Sequence, residues 1–552
     1  MSIGGARKSG SVRQCLSSLE AGSIAPDAYW MGSRMVYKLL RAWRTPLICV
    51  VGSMGLLLVL HQLLAQLPPS NSARSSSSSS SVNRKSPGLP AQAQLLPGLP
   101  RIDVDPPAVV VDDEKNRPLD LKTVLHQNAQ QHWAQGSRRS HQCAPYPRYE
   151  DLVFKNPDFQ WVTVGNLSYF FYNAYYDCRP AAPEVMVLAM VTTVTGPYPA
   201  AFCQLWYEDG GQPDLVPVTD TKVGWYDVWG DVEGIAYPTM FSCVVPEPDI
   251  RVPQLVSLVF GSRCAPARNA LIVINAQVPQ RPPPNSKQQQ LRTGVCVKFL
   301  SFPDRDVSDR MVEWLELLRL LGVERVVAFD IGELTANTSR TLAHYADVDG
   351  LLQLRPHQVL EEQSDDWDLR SRLTEVLMYN DCLYRNMYEF DYLGVFDVDE
   401  VIMPLGELLS YRSLLQQLQQ LDVNCSARSS FCFRNVYFPK ELAADPALPQ
   451  QFYMLSHVTR VADHLDANLA IKCLHNPQLV TLTHNHFPMR WRAESCGPMD
   501  VPVHIGQMQH YRHVDDEETL SRPTPVRDDN ILRFRQQLVQ NCLDVHRRLG
   551  WT

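Results

Sequence analysis

The stretch YLGVFDVDEVIMP, residues 392–404, joins a short apolar segment to three acidic residues, Asp397, Asp399 and Glu400. The five residues before the acids have the apolar composition of a buried strand. Carboxylates are poor residues for a strand interior, and they repel each other unless a positive charge lies between them. The sequence therefore predicts that this strand ends at a site that binds a cation or a charged substrate.

Strand-like and helix-like segments alternate around this stretch. The apolar runs of residues 294–302 and 325–330 are typical of buried strands, and an amphipathic helix is predicted between them, over residues 311–321. A long helix is predicted over residues 366–388, directly before the strand of the stretch quoted above. Alternation of this kind predicts a mostly parallel, Rossmann-like α/β sheet with ligands at the carboxyl ends of its strands. We assign residues 291–552 to this α/β domain.

The preceding segment, residues 143–276, has a different pattern. Short runs rich in β-branched and aromatic residues are separated by clusters of Pro, Gly and Asp. This spacing predicts an all-β, antiparallel, sandwich-like domain. Together with a proline-rich linker at 277–290, it makes an accessory domain over residues 143–290. Its aromatic residues are expected in the core, and a sugar-binding role for some of them is the alternative.

The first 142 residues predict a membrane anchor and a spacer. Residues 46–67 carry no Asp, Glu, Lys or Arg and match in length the ~20 apolar residues that span a bilayer. Basic residues precede them, so the positive-inside rule predicts a cytosolic tail at 1–45 and a type II orientation. Residues 68–142, rich in Ser, Pro and Gly, predict a disordered stem. A cleaved signal peptide is the alternative for the apolar segment.

The rest of the chain has the features of an exported protein. Twelve of the 14 cysteines follow residue 142, an even number that predicts disulfides without fixing their connectivity. No two cysteines have CxxC spacing, which argues against a structural zinc site. Glycosylation sequons occur at Asn166, Asn337 and Asn424. A net charge of −8 without a basic stripe gives no reason to expect a nucleic-acid partner.

Three hypotheses account for Asp397 and Asp399. The first is an exposed acidic strand end without a ligand. The second is a phosphatase with Asp397 as an aspartyl nucleophile, because LGVFDVDEV matches that motif, although the motif normally lies on the first strand of its domain. The third is a metal-dependent nucleotide-sugar transferase, in which carboxylates hold a hard divalent ion that stabilises the departing diphosphate. The DxD spacing suits it, because alternate residues point to one side of a strand end.

Four segments, in the right order, resemble glycosyltransferase family 92. They are VCVKFLSFPDRDVSDRMVEWLELLRLLGVERVVAFD (295–330), LTEVLMYNDCLYRNMYEFDYLGVFDVDEVIMP (373–404), IKCLHNPQLVTLTHNHFP (471–488) and QHYR (509–512). The resemblance implies a GT-A-type fold and an inverting reaction. Characterised members of that family transfer galactose from UDP-galactose, forming β1,4 linkages to galactose or fucose. Val401 is a departure, since the family more often has an aromatic residue there.

The resemblance also implies a metal site. Asp397 and Asp399 match the family's metal and diphosphate motif, and both are predicted to be catalytic. His486 matches a later histidine and is our predicted third ligand for Mn²⁺ or another divalent cation. By chemistry alone, His484 and His510 are alternatives to His486.

Four residues are predicted to bind the nucleotide sugar. Asp381 and Arg385 match a segment that would face it, and their spacing of four puts them on one side of a helix. Lys472 matches a lysine of the family, and Asp330, at the end of the second predicted strand, is placed to accept from uridine or ribose.

An inverting displacement also needs a base that accepts the proton of the acceptor hydroxyl. Glu494 is our candidate because it lies close in sequence to Trp491, an aromatic residue suited to stacking on a sugar. Asp463, Asp466 and Asp500 are alternatives that the spacing does not exclude.

These expectations describe a single-pass type II protein of the Golgi membrane whose lumenal domain transfers galactose from UDP-galactose to a terminal sugar of glycoprotein glycans. Its expected partners are a UDP-sugar donor and a glycan acceptor, with a homodimer left open. A lumenal carbohydrate-binding protein without turnover is the non-enzymatic alternative. The donor sugar rests on the resemblance alone, and the sequence does not identify the acceptor.

Overall fold

The computed structural model describes residues 143–208, 212–248, 251–276, 291–361, 366–425, 427–514 and 524–551. The predicted cytosolic tail, membrane span, stem and linker lie outside the described residues. Within the described ranges, no helix is long and apolar enough to span a lipid bilayer.

The accessory domain is built on a ten-stranded, mostly antiparallel sheet. Its strands are β1 (Phe154–Asn156), β2 (Phe159–Val164), β3 (Leu167–Asp177), β4 (Glu184–Val191), β5 (Ala201–Trp206), β6 (Asp214–Pro217), β7 (Asp220–Val223), β8 (Tyr237–Val244), β9 (Leu255–Phe260) and β10 (Leu271–Ile274). Their order is β6-β5-β9-β10-β3-β4-β8-β7, with β2 on the first half of β3 and β1 on β2. Seven of the eight residues of β4 are buried, because both faces of this central strand are covered.

The sheet folds over on itself into two layers. The Cys203–Cys243 disulfide joins β5 to β8, which are not neighbours in the sheet, and side chains from both halves share one core. That core includes Tyr169, Phe171 and Leu258. The sandwich-like domain predicted from the sequence is present, although its strands form one continuous sheet.

The α/β domain contributes the remaining strands. They are β11 (Thr293–Phe302), β12 (Val323–Leu334), β13 (Leu352–Pro356), β14 (Tyr392–Val395), β15 (Glu400–Pro404), β16 (Arg428–Phe433), β17 (Asn435–Tyr437), β18 (Thr459–Arg460), β19 (Lys472–His475), β20 (Val480–Thr483), β21 (Pro488–Trp491), β22 (Cys496–Asp500), β23 (Gly506–His510) and β24 (Val526–Arg527). Seven of them form the main sheet, in the order β13-β12-β11-β14-β19-β16-β22.

Most neighbours in the main sheet are parallel. β13, β12, β11 and β14 run in one direction, β19 is antiparallel to both β14 and β16, and β22 is parallel to β16. This confirms the mostly parallel α/β sheet predicted from the sequence. A second, three-stranded sheet has the order β15-β23-β17, and β18–β24 and β20–β21 form two-stranded sheets.

Helices cover both faces of the main sheet. They are α1 (Ser308–Leu320), α2 (Ala336–Ala343), α3 (Trp367–Asn386), α4 (Tyr411–Leu421), α5 (Tyr453–Ser456) and α6 (Arg535–Leu549). α1 ends before Gly322, whose φ of +92° suits glycine and terminates the helix as predicted. Met311, Trp314 and Leu318 of α1 belong to the largest core of the domain.

Helix α3 lies between the main sheet and the accessory domain. Its Leu377 and Leu383 share a core with Tyr175 and Met186 of the accessory sheet. The Cys296–Cys382 disulfide also attaches α3 to β11. The two domains are therefore joined by a packed apolar contact through α3.

Five disulfides confirm the predicted framework. They are Cys143–Cys264, Cys203–Cys243, Cys296–Cys382, Cys425–Cys496 and Cys432–Cys473. Each bridge lies within one of the two domains. Cys542 is buried outside the bridges, and the Tyr388 hydroxyl donates to Cys178 Sγ.

Candidate active site

Asp397, Asp399 and Glu400 lie in a tight turn between β14 and β15. The Glu400 amide donates to the Asp397 carbonyl oxygen (3.0 Å), and the Asp397 amide donates to Glu400 Oε2 (2.8 Å). These two hydrogen bonds close the turn. The two aspartates within it have different surroundings. The exposed fraction of the side chain is 18% for Asp397 and 36% for Asp399.

Asp397 lies between two lysines. Lys298 of β11 places Nζ 3.2 Å from Asp397 Oδ1, and Lys472 of β19 places Nζ 3.3 Å from Oδ2. β11 and β19 are the two neighbours of β14 in the main sheet, so each supplies one ammonium group. Burial alone would raise the pKa of Asp397, but the two lysines outweigh burial and hold that pKa well below its usual range.

The lysines also join two further acids to this buried group. Lys472, fully buried, lies 2.9 Å from Glu400, and Lys298 lies 3.3 Å from Glu375 of α3. Asn485 donates to Glu375 (3.1 Å) and its amide oxygen contacts Lys472. We refer to the charged members as the inner network, which consists of Lys298, Glu375, Asp397, Glu400 and Lys472.

Asp399 faces outward, beside a histidine. His510 Nε2 lies 3.7 Å from Asp399 Oδ1 and 3.6 Å from Glu400 Oε1. The pairing of β15 with β23 causes this contact, because its register sets Glu400 opposite His510. Burial lowers the pKa of His510 to about 4, so its imidazole is neutral at neutral pH. Burial also raises the pKa of Asp399 above its ordinary value.

Basic side chains surround Asp399. Arg310, near the start of α1, stacks on the Tyr453 ring with its guanidinium carbon 3.7 Å from the ring centroid. Burial and the neighbouring cations, first Arg310 and then Arg305, lower the pKa of Lys440. These side chains form the outer cluster, which consists of Asp399, His510, Arg305, Arg310, Lys440 and Arg512. Cations in excess of carboxylates make this a place for an anionic ligand.

The donor groups fit a divalent ion at Asp399 and not at Asp397. An exposed carboxylate and a neutral imidazole are suitable ligands for a manganese-like ion. Asp397 is already neutralised by two ammonium groups. The described residues contain no group of three or more His, Cys, Asp or Glu side chains that could hold a metal. Asp399 and His510 would therefore supply only part of a coordination shell, with the remainder from the bound ligand and water.

The family model of glycosyltransferase family 92 matches residues 292–544, which span the inner network and the outer cluster. The α/β domain therefore matches this family over nearly its whole length, and we refer to it as the family 92 domain. No curated protein sequence matches this chain.

Two solved structures illustrate how distant the structural relatives of this chain are. One is an active-site mutant of LgtC, with 13% identity over 33% of this chain and 57% of that chain, and a TM-score of 0.18. The other is glucosyl-3-phosphoglycerate synthase from Mycobacterium tuberculosis, in complex with Mn²⁺, UDP-glucose and phosphoglyceric acid, with 13% identity over 46% of this chain and 79% of that chain, and a TM-score of 0.21. Similarities this distant carry no conclusion about the site.

In the family 92 domain, His510, and not the predicted His486, is the histidine beside Asp399. The His486 Nδ1 lies 3.2 Å from the Ile471 carbonyl oxygen, and Lys472 and Asp397 are among its charged neighbours. The histidine that the structure brings to Asp399 is His510. Of the metal ligands predicted as Asp397, Asp399 and His486, the structure brings Asp399 together with His510, and places His486 nearer to Lys472 and Asp397.

Asp381 and Arg385 lie on one side of α3, as predicted, but that side faces the accessory domain. The buried Asp381 carboxylate accepts from Asn173 (2.9 Å), from the Tyr175 hydroxyl and from Arg385 Nε (2.8 Å). Both Asp381 oxygens are used in these contacts, so this carboxylate lies at the boundary with the accessory domain and Arg385 is held beside it.

The remaining predicted residues lie outside both groups. Glu494 is in the turn after β21, where it accepts from Arg492 Nε (2.5 Å) and half of its side chain is exposed. That position gives it no contact with Asp399. Asp330 lies within β12, opposite Leu300, and accepts from the Gly332 amide (2.8 Å).

The three sequons differ in their surroundings. Asn166 and Asn424 are exposed in turns, after β2 and after α4. Asn337 is in the first turn of α2, and its side chain donates to Asp306 Oδ2 (2.8 Å).

Sequence reasoning missed Lys298 and the basic members of the outer cluster. A signal for Lys298 was present, because a lysine within the apolar run VCVKFL needs a partner when that strand is buried. Arg305 and Arg310 also follow directly after β11, at the sheet edge that binds ligands in such folds. Lys440 has no comparable signal, because it lies in a loop.

Proposed function

We propose that the family 92 domain has a GT-A-type fold and transfers galactose from UDP-galactose to a terminal sugar of glycoprotein glycans. The transfer forms a β1,4 linkage with inversion. The observation that carries the proposal is the outer cluster, in which a partly exposed carboxylate and a neutral imidazole face several basic side chains. This arrangement suits the diphosphate of a nucleotide sugar.

The outer cluster would act on the leaving group. Arg305, Arg310, Lys440 and Arg512 offer positive charge to the diphosphate, whose charge increases as the sugar departs. Asp399 and His510 would hold Mn²⁺ or another divalent cation, which when bound acts as a Lewis acid on the same diphosphate.

The inner network would position the outer cluster. Its lysines neutralise the charge of Asp397, which removes the repulsion between Asp397 and Asp399. The turn before Glu400 can then keep a single conformation. A fixed turn holds Asp399 in the direction of the ligand before the ligand binds. Lys298 is 31% exposed in its side chain and lies at the border between this network and the sheet edge.

The galactose donor, the linkage and the inversion are supported by the resemblance to characterised family 92 members. The Golgi membrane location and type II topology are supported by the uncharged segment at 46–67 with its preceding basic residues. A homodimer is left open. The phosphatase hypothesis loses support, since the family that matches the domain is one of glycosyltransferases.

A donor screen tests this proposal. The full chain is incubated with UDP-galactose, UDP-glucose or UDP-N-acetylglucosamine on a glycan array, with Mn²⁺ and after chelation. We expect transfer of galactose that chelation abolishes and Mn²⁺ restores. His510→Ala should lose at least ~100-fold in rate, whereas His513→Ala, an exposed histidine three positions away, should keep the rate. Glycan binding without UDP binding or transfer would favour the non-enzymatic alternative instead.

A further inference from the structure

Partly exposed aromatic side chains from both domains meet near the strand ends. Tyr226 and Trp229 come from the accessory domain, in the turn between β7 and β8. His484 and Phe487 come from the family 92 domain, in the turn between β20 and β21. We refer to these four side chains as the aromatic platform.

The rings of the platform contact one another across the domain boundary. The ring centroids of Trp229 and His484 are 5.1 Å apart, as are those of His484 and Phe487, which are nearly parallel at 19°. Tyr226 and Phe487 are 6.4 Å apart, also at 19°. Val228, on the same turn as Trp229, is 58% exposed. Trp229 and Phe487 pack at the margins of two cores and remain partly exposed. Partly exposed apolar side chains that lie together in this way are typical of a binding site.

The platform is continuous with the inner network. Asn485, in the same turn as His484 and Phe487, contacts Lys472 and donates to Glu375. Lys472 in turn lies 3.3 Å from Asp397, the residue that begins the DxD turn. The platform therefore adjoins the inner network, which in our proposed function positions the outer cluster that holds the donor.

Polar groups lie at the margin of the platform. Arg490 lies on β21, three residues after Phe487, and Arg372 lies on α3, and both side chains are exposed. They are close enough to Tyr226 and His484, respectively, to interact with them electrostatically. An apolar floor with a few polar groups at its edge is the usual construction of a small-molecule site. A hexose ring matches it, because one face presents C–H groups and the periphery presents hydroxyls.

We propose that the aromatic platform binds a terminal hexose of the acceptor glycan, with the C–H face of the sugar on the rings and its hydroxyls toward Arg490 and Arg372. This inference rests on the proposed function, since it supplies the acceptor for the same reaction. The accessory domain is then part of the acceptor site, because Tyr226 and Trp229 belong to it.

Sugar binding by the full chain is the test. The probes are methyl β-galactoside, methyl α-fucoside and methyl β-N-acetylglucosaminide, measured by saturation-transfer NMR, with UDP and Mn²⁺ measured separately by calorimetry. We expect at least one glycoside to bind, and Trp229→Ala to weaken it about tenfold. Trp229→Phe should restore most of the affinity. Val348→Ala, at an exposed valine between α2 and β13, should change nothing, and UDP affinity should be the same in all variants.

Three results would overturn the platform. The first is that the wild type binds none of the glycosides. The second is that wild type and Trp229→Ala bind a glycoside equally well. The third is that Trp229→Ala weakens the binding of UDP but not of the glycosides, which would make the platform a nucleobase site. If Trp229→Ala does not fold, Phe487→Leu takes its place, with the same expectations. Failure of the proposed function is distinguishable, because a wild type that binds glycosides through Trp229 but neither binds nor uses UDP is a lectin.

Discussion

Asp397 of the inner network and Asp399 of the outer cluster are separated by one residue, Val398, and differ in almost every physical respect. Asp397 is enclosed by Lys298 and Lys472, which come from the neighbouring strands, and its charge is cancelled inside the protein. Asp399 is 36% exposed and faces a histidine and several cations from loops and a helix start. Two acids of one DxD motif thus have different surroundings, and in our proposed function the first stabilises the turn and the second faces the ligand.

The largest expected effect concerns stability. Lys472→Met removes a buried ammonium and leaves Asp397 and Glu400 with one lysine fewer between them. Breaking a buried ion pair from one side costs about 3–5 kcal/mol, so the free energy of unfolding in urea should fall by that amount. Lys440→Met, in the outer cluster, should change it by less than ~0.5 kcal/mol. Equal losses in the two variants would mean that the two regions do not differ as described.

The second largest effect is expected on activity and not on stability. Asp399→Asn should reduce the rate of sugar transfer about 100-fold or more, because the ligand-facing carboxylate is lost, with little change in the unfolding midpoint. Asp347→Asn, an exposed aspartate between α2 and β13, is the matched control and should behave as wild type. If Asp399→Asn transfers sugar at the normal rate, the ligand-facing role of this carboxylate is wrong.

A third prediction concerns the cations alone. Lys440→Ala should weaken UDP binding about tenfold at low salt, since one charge–charge contact at a partly exposed site contributes on the order of 1 kcal/mol. The difference from wild type should shrink as salt is added. Lys222→Ala, in the accessory domain, supplies a control, and an equal loss there would indicate a nonspecific effect of net charge.

The fold was accessible to sequence reasoning because it depends on local patterns. The apolar runs of β11 and β14 and the periodicity of α1 identify the elements, and alternation of strands with helices specifies a parallel sheet. The position of Asp397 and Asp399 at the end of β14 follows from the same pattern. Gly322, which ends α1, is a further local signal that the structure confirms.

The division of labour between the two aspartates was not accessible, because it depends on pairings between distant segments. Lys472 reaches Asp397 only because β19 inserts antiparallel beside β14. His510 reaches Asp399 because β23 pairs with β15, more than a hundred positions away in sequence. No spacing rule encodes such a register, so His486 could not be distinguished from His510.

Asp381 and Arg385 show a related limit. Their spacing of four correctly placed them on one side of α3. Which partner that side meets depends on the accessory domain, whose Asn173 and Tyr175 donate hydrogen bonds to Asp381. Helical periodicity defines a face but not its partner.

The smallest expected effect tests whether water and protons reach the buried residues next to the inner network. His475 of β19 is buried, with Nδ1 2.8 Å from Ser430 Oγ and Nε2 3.2 Å from Thr483 Oγ1. Burial lowers its pKa to about 3, from an ordinary value of about 6.5 in the unfolded chain. The unfolded state therefore binds a proton that the folded state refuses, and stability is lost progressively as pH falls below 6.5 toward 3.

His475→Gln removes this titration and keeps one hydrogen-bonding side chain. Between about pH 7 and about pH 5.5, the free energy of unfolding of wild type should fall by about 1 kcal/mol more than that of the variant. Urea unfolding at both pH values measures the difference, and His513→Gln, exposed beside Glu441, is the control that should keep the wild-type pH dependence. Parallel pH profiles for wild type and His475→Gln would mean that water reaches β19. The contrast between a sealed network at Asp397 and an open cluster at Asp399 would then be one of degree only.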